Sequence, residues 1–397
     1  MGRDYKMKIM FYTSFLTAGG GLEVAAIQYI NEFKRKGNQV HVYIDYDMGN
    51  ENLREKEIEK NIKIKYLKSE KLSKFIYKLR TLGKKNKIYN IFLYLIILSS
   101  DFTIWRKLRN EITKEKYDVT ITFFQYLPGY INKISGPKHL IFLHGSVEHY
   151  FLGIRKYFKK FFFKKINKFT YICTVSNEMR EQVLKIFPVI EKNKVRTIYN
   201  KINFDDIIKK SKDESELNLL EKKIIKEKYI CSVGRIDEEQ KDFKTLIETY
   251  RMLLLEVKEN INLVLIGNGP DMEFLKKYTQ KIKLENKIFF LGKKDNPYIW
   301  MKNCEIFILS SKFEGFGLVL AEALLLNKKV ISSNCKVGPL EILENGKYGE
   351  LFEIGNKEEL KNKILKLMKE KNKIETKEYI MKKFGTGFKK LEELLEE

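Results

Sequence analysis

Glu314 and Glu322 bracket the run Glu314-Gly315-Phe316-Gly317-Leu318-Val319-Leu320-Ala321-Glu322, which follows the apolar stretch 305–309 and continues into a helical pattern. Two glycines let a backbone approach a ligand closely. The unbonded N–H groups at a helix start, from Gly317 to Val319, are suited to a diphosphate. At ~1.5 Å per residue the two carboxylates lie roughly 8–12 Å apart. That reach suits one acid on a sugar and one on a ribose. The same spacing also fits an ordinary strand–turn–helix with glutamates on its surface.

A second cluster of charge is Gly234-Arg235 followed by Lys241. Arginine offers a bidentate fork and lysine a point charge, and both suit a phosphate. Asp237, Glu238 and Glu239 lie between them, so a solvated loop with local ion pairs is an equal reading. His144, in Leu143-His144-Gly145, is a lone histidine after an apolar run and reads as structural when taken alone. Asp45-Tyr46-Asp47 has the spacing of a divalent-metal motif but stands far from the other candidates in the chain. The segment 151–168 carries seven basic residues and no acid, interleaved with aromatics. It reads as an amphipathic helix for an anionic bilayer, with Lys71 to Arg80 and Lys84 to Lys87 adding basic material. A helix that packs its aromatics inward and solvates its lysines is the competing reading.

Strands and helices must place these residues. Residues 8–13 form a short apolar run, with Gly19-Gly20-Gly21 beyond it. Val24, Ile27, Ile30 and Phe33 then recur at helical spacing up to Lys36-Gly37, and 39–44 reads as a second strand. This is the opening of a βαβ unit. Further strands are predicted at 119–124, 139–143, 171–175 and 195–198, with Ser176-Asn177-Glu178 capping a helix through Lys185. Residues 201–228 are polar and place a domain boundary. A second series follows at 229–234, 262–266, 287–291, 305–309 and 329–332. Strands alternating with helices predict parallel sheets covered on both faces, with ligands at the carboxyl ends of the strands.

Taken together, these residues resemble the retaining GT-B glycosyltransferases of family 4, and the resemblance covers most of the chain. Glu314 and Glu322 match that family's Glu-x7-Glu motif, Gly20-Gly21-Leu22-Glu23 resembles its N-terminal Gly-Gly-x-Glu loop, and Gly234-Arg235 with Lys241 resembles its Gly-Arg…Lys element. Ile266-Gly267-Asn268-Gly269-Pro270 and Phe290-Leu291-Gly292 fall where the family places similar strand ends. Leu22 stands where alanine is common. Gly338-Pro339-Leu340-Glu341-Ile342-Leu343 resembles bacterial members that use UDP-hexoses or UDP-N-acetylhexosamines.

The resemblance implies an α/β GT-B fold of two Rossmann-like domains facing a central cleft. It implies that Arg235 and Lys241 stabilise the leaving nucleoside diphosphate and that Glu314 holds hydroxyls of the donor sugar. Phe316, Gly317, Leu318 and Val319 would offer backbone contacts, and Glu322 would bind the ribose. Gly20 and Gly21 would close over the donor, and His144 would lie near the transferred sugar. The implied reaction moves a hexose or N-acetylhexosamine from a UDP-linked donor to a polysaccharide or polyprenyl-diphosphate-linked glycan, with retention. Fixed cations and a helix N-terminus would neutralise the leaving group with no metal or other cofactor. The expected organisation is an acceptor domain at 1–203, a nucleotide-sugar domain at 204–375, and a C-terminal helix at 376–397 that packs back on the first.

Composition narrows the alternatives. The chain has 397 residues, room for two or three domains at about 150 residues each. Only six prolines argue against a linker-like or disordered chain. Four scattered cysteines point to free thiols, and four histidines without a metal-binding spacing exclude a histidine-rich metal site. No apolar run reaches the ~18 residues of a membrane span, and the polar start shows no signal peptide. Residues 1–200 hold 38 basic and 18 acidic side chains, whereas 201–397 hold 38 and 34. The first half therefore expects an anionic partner, and the chain is expected on the inner, cytoplasmic face of the cell membrane. Nucleic acid is not expected, because no nucleic-acid motif accompanies the basic segments. A basic peripheral membrane or nucleic-acid binding module without catalysis is the rival reading. An NAD enzyme fits poorly, since Gly19-Gly20-Gly21 does not match G-x-G-x-x-G.

Overall fold

In the computed structural model, residues 6–17, 20–83, 87–123, 135–150, 159–370 and 375–397 are described. Their strands form two sheets, and every strand pair in both is parallel. The described residues fall into two compact units. One is drawn from 1–175, 180–201 and 388–397, the other from 176–179 and 202–387.

The first unit holds β1 (Lys8–Thr13), β2 (Gln39–Tyr46), β3 (Lys63–Lys68), β4 (Val119–Phe123), β5 (Lys138–Leu143), β6 (Tyr171–Thr174) and β7 (Val195–Thr197). Their spatial order is β3-β2-β1-β4-β5-β6-β7. Central strands such as β4 are buried along their whole length, as a sheet covered on both faces requires. The helix Gly21–Arg35 lays Tyr29 and Phe33 on one face, against Phe11, Phe123 and Phe142. Its end is set by Gly37, whose φ of +84° closes the last turn. Phe388, from the last helix Gly387–Glu396, packs beside Tyr29 and Phe33. On the other face Trp105, Leu108 and Ile112 of the helix Lys87–Glu115 pack with Met10, Tyr12, Tyr43 and Tyr117.

The second unit holds β8 (Tyr229–Val233), β9 (Asn262–Ile266), β10 (Ile288–Phe290), β11 (Ile306–Leu309), β12 (Lys329–Ser333) and β13 (Glu350–Phe352). Their order is β10-β9-β8-β11-β12-β13. The order turns back between β8 and β11, and this is the point at which open α/β sheets hold ligands beyond their strand ends. Two short helices, Phe204–Lys210 and Leu219–Ile224, occupy the polar stretch before β8.

Strands β3 and β13 and the helix Lys87–Glu115 are additions to the sequence reading. The alternation Lys63-Ile64-Lys65-Tyr66 was present, but its exposed lysines disguised an edge strand that, among the described residues, pairs only with β2. Among the described residues, no helix is long and apolar enough to cross a membrane.

Candidate donor site at the carboxyl ends of β8 and β11

The chain leaves β8 at Gly234 and leaves β11 into Ser310-Ser311, so the two strand ends face one crevice. After Gly234 the turn is tied by Lys241 N–H donating to the Asp237 carbonyl at 2.7 Å. Gly267, with φ of +142°, passes so close that a Cβ there would collide with the Gly234 carbonyl oxygen. This crowding fixes the strand end that carries Arg235 and brings Lys241 back under Gly234.

Lys241 Nζ donates to Glu314 Oε1 at 2.5 Å. The lysine side chain is 14% exposed and that of the glutamate 7%, so the pair is largely removed from water. Ser311 Oγ donates to the same Oε1 at 2.6 Å, and Ser310 Oγ donates to the Lys241 carbonyl at 2.8 Å. Ser333, at the end of β12, donates to the Ser311 carbonyl. Among the described residues Glu314 Oε2 has no donor, and two of the three Lys241 ammonium protons have no acceptor. Burial, followed by the Glu314 charge, pushes the nearby Cys335 thiol up to about 12, so it stays protonated.

The helix Leu318–Leu325 begins immediately after Gly317, whose φ of +88° suits a glycine, and no side chain caps it. The N–H groups of Gly317, Leu318 and Val319 find no acceptor among the described residues. The Phe316 ring turns inward, edge-on to Phe384 with centroids 5.3 Å apart. Gly338 (φ +103°) packs on the Phe316 carbonyl so tightly that a Cβ would overlap it. Glu322 lies one turn inside the helix and is buried, as Glu314 is. Neither is the surface glutamate of the ordinary strand–turn–helix reading.

The structure thus brings together Lys241, Glu314, Glu322 and the free amides from Gly317 to Val319. Arg235 stands apart: its side chain is about half exposed and, among the described residues, its one ion-pair contact is Asp237, at 4.0 Å. A cation, an oriented carboxylate and a row of amides together have the chemistry to hold a polyhydroxylated group next to phosphate. Sequence reasoning missed Ser311, Ser310 and Ser333. The one available signal was the position of Ser311, one turn before Glu314.

The remaining candidates lie in the first unit. Gly20 directly precedes the helix Gly21–Arg35, again without a side-chain cap, and the Glu23 carboxylate folds back over it. His144 follows β5 and sits on Phe123, with ring centroids 4.8 Å apart. Its Nε2 is buried without a hydrogen-bond partner among the described residues, and burial pulls its pKa down to about 3. The ring is therefore a neutral imidazole at physiological pH. Asp45 is paired with the fully buried Lys68 at 2.5 Å, and Asp47 accepts from Gly49 N–H and Asn52 Nδ2. Both acids of the Asp-x-Asp are engaged in holding β2, β3 and the following turn. In the basic aromatic segment, residues 151–158 lie outside the described residues. The described part, the helix Lys159–Ile166, buries Phe162 and Ile166 and exposes Lys160 and Lys164. Phe162 and Phe163 both stack on Phe187, which corrects the bilayer reading there in favour of inward packing.

The two parallel sheets, of seven and six strands, are those of a GT-B fold. A crystal structure of Anabaena Alr3699/HepE in complex with UDP-glucose matches it with a TM-score of 0.73 at 18% identity, covering 98% of this chain and 100% of that one. The family model for Glycosyltransferase Family 4 matches residues 19–206, and that for Glycosyl transferases group 1 matches residues 217–383. The chain belongs to this glycosyltransferase family. Among curated relatives, it is 34% identical over 176 residues to the N-acetylgalactosamine-N,N'-diacetylbacillosaminyl-diphospho-undecaprenol 4-alpha-N-acetylgalactosaminyltransferase of Campylobacter jejuni, a match covering 44% of each protein. It is 24% identical to the lipopolysaccharide 1,6-galactosyltransferase of Salmonella typhimurium, over 88% of this chain and 86% of the relative. The chain spans about half or less of the length of the curated relatives that it matches at 30% identity or above.

Proposed function

We propose that this protein transfers a hexose or N-acetylhexosamine from a UDP-sugar to a polysaccharide or polyprenyl-diphosphate-linked glycan, with retention at the anomeric carbon. The observation that carries the reading is the buried Lys241–Glu314 pair beside the uncapped helix at Leu318. In this reading Glu314 Oε2 accepts a hydroxyl of the donor sugar. The spare protons of Lys241, the Arg235 fork and the amides of Gly317 to Val319 take up charge on the departing UDP. Glu322 receives the ribose hydroxyls. The acceptor hydroxyl attacks the anomeric carbon on the side from which UDP leaves, and its proton passes to the departing phosphate oxygen. Gly20, Gly21 and His144 act from the first unit, His144 as a neutral hydrogen-bonding group near the transferred sugar. The names of the C. jejuni and S. typhimurium relatives, acting on a diphospho-undecaprenol glycan and a lipopolysaccharide, support the acceptor class.

An anionic membrane surface is the second partner in this reading. The support is the helix Glu70–Gly83, which leaves Lys71, Lys74, Phe75, Tyr77 and Lys78 exposed. Exposed aromatics among lysines suit a lipid interface.

A donor screen with UDP-glucose, UDP-galactose and their N-acetylhexosamine counterparts, using lipid extract as acceptor, tests the proposal. The expected result is turnover of one donor with the anomeric configuration kept, and thermal protection by UDP. Absence of both from the folded protein refutes it.

A further inference from the structure

We infer that Ser311 is a positioning residue that keeps Glu314 aimed at the donor sugar when Lys241 is drawn to the diphosphate; the inference rests on the nucleotide-sugar reading above. Both protein donors to Glu314 converge on one oxygen, Oε1: Lys241 Nζ at 2.5 Å and Ser311 Oγ at 2.6 Å. Oε2 is left as the acceptor for the sugar. The two donors differ in what a ligand does to them. An ammonium is a point charge on a flexible stem, and an arriving pyrophosphate competes for it with two negative charges or more. A serine hydroxyl carries no charge and is not pulled away. Ser311 is fully buried, and its carbonyl is held in turn by Ser333 Oγ, so its position depends on the sheet and not on the donor. The two tethers therefore divide the work. Lys241 follows the phosphate, while Ser311 holds the carboxylate plane so that Oε2 keeps its direction through leaving-group departure.

The experiment uses the full chain, with UDP for binding and the four UDP-sugars above for turnover. Ser311→Ala is expected to leave the Kd for UDP within about twofold of the unmodified protein. It is expected to lower sugar transfer by about tenfold to a hundredfold, the range for one hydrogen bond to a charged acceptor, and mainly in kcat. Ser311→Thr, which restores the hydroxyl, recovers most of the loss. Ser332→Ala removes an equally buried hydroxyl that donates to the Ser333 carbonyl and should leave transfer unchanged. If Ser311→Ala does not fold, Ser311→Cys, with its weaker donor, carries the same expectation. Transfer by Ser311→Ala at the unmodified rate overturns the inference and leaves the nucleotide-sugar reading standing. So does a loss of UDP affinity in proportion to the loss of rate. If the unmodified protein neither binds UDP nor turns over any of the four donors, the reading itself fails and the inference with it.

Discussion

Lys241 and Glu314 are each costly to bury alone, and their separate substitutions should be felt differently. Glu314→Gln keeps a carbonyl oxygen where Ser311 and Lys241 donate, so the fold should survive. The charge that orients a sugar hydroxyl in the proposed reading is lost, and transfer should fall roughly a hundred- to a thousandfold with UDP binding little changed. Lys241→Met instead leaves a carboxylate that is 7% exposed without its cation. It should cost about 3–5 kcal/mol in a denaturant titration and weaken UDP binding as well. Equal losses of UDP affinity in both variants would contradict this division. His144 makes a separate prediction about pH. Its folded pKa of about 3 lies below the 6.5 of a free imidazole, so the unfolded chain binds the extra proton between those values. Its contribution to stability is complete above pH ~6.5 and is lost as pH falls toward ~3. His144→Gln should therefore narrow the stability gap between pH 7 and pH 4.5 by roughly 2 kcal/mol, measured by urea unfolding at both pH values. An unchanged gap would mean that the imidazole is solvated.

At the scale of elements, the proposed donor site depends on loops pressed against one another, and glycines set how closely they press. Gly338 and Gly355 both have positive φ, yet a Cβ at 355 meets nothing within contact distance, whereas one at 338 runs into the Phe316 carbonyl. Gly355→Ala should cost only the backbone strain, about 1 kcal/mol, and leave UDP-sugar binding intact. Gly338→Ala should shift the Phe316–Val319 loop and weaken UDP-sugar binding at least tenfold, read by calorimetry. Similar binding by the two variants would show that the close approach is immaterial. This contrast also shows what could be read from the sequence. Apolar runs such as Asn262–Ile266 are strands because both sheet faces are covered, and they were legible. So was the cap at Ser176, whose Oγ accepts from Met179 N–H. The helix start after Gly317 and the pair of glutamates were legible from spacing. Burial of both glutamates, the shared Oε1 and the Ser311 tether were not, because each depends on β8, β11 and β12 lying side by side. The aromatic run near Phe162 misled for the opposite reason. Lysines between phenylalanines look alike whether the phenylalanines face lipid or Phe187.

At the scale of the whole molecule, charge is distributed unevenly, and the excess sits in the half that does not carry the donor motifs. A surplus of 38 basic over 18 acidic side chains in residues 1–200 generates a field that acts over about a Debye length, ~10 Å at 0.1 M salt. On the helix Glu70–Gly83, Lys74 pairs with Glu70, while Lys71 and Lys78 are exposed and have no ion pair among the described residues. Phe75 and Tyr77 are 49% and 52% exposed on that same helix. Lysines alone would bind any polyanion, and the two rings add a term that only a surface with an apolar interior repays. The full chain should therefore sediment with vesicles containing phosphatidylglycerol and not with pure phosphatidylcholine vesicles, and less so as salt rises. Phe75→Ser with Tyr77→Ser should reduce the bound fraction at low salt, where the lysines still act. Lys71→Glu with Lys78→Glu should abolish the dependence on anionic lipid. Retention of a duplex oligonucleotide as strongly as of the anionic vesicles, unaffected by the aromatic substitutions, would assign this basic face to nucleic acid instead.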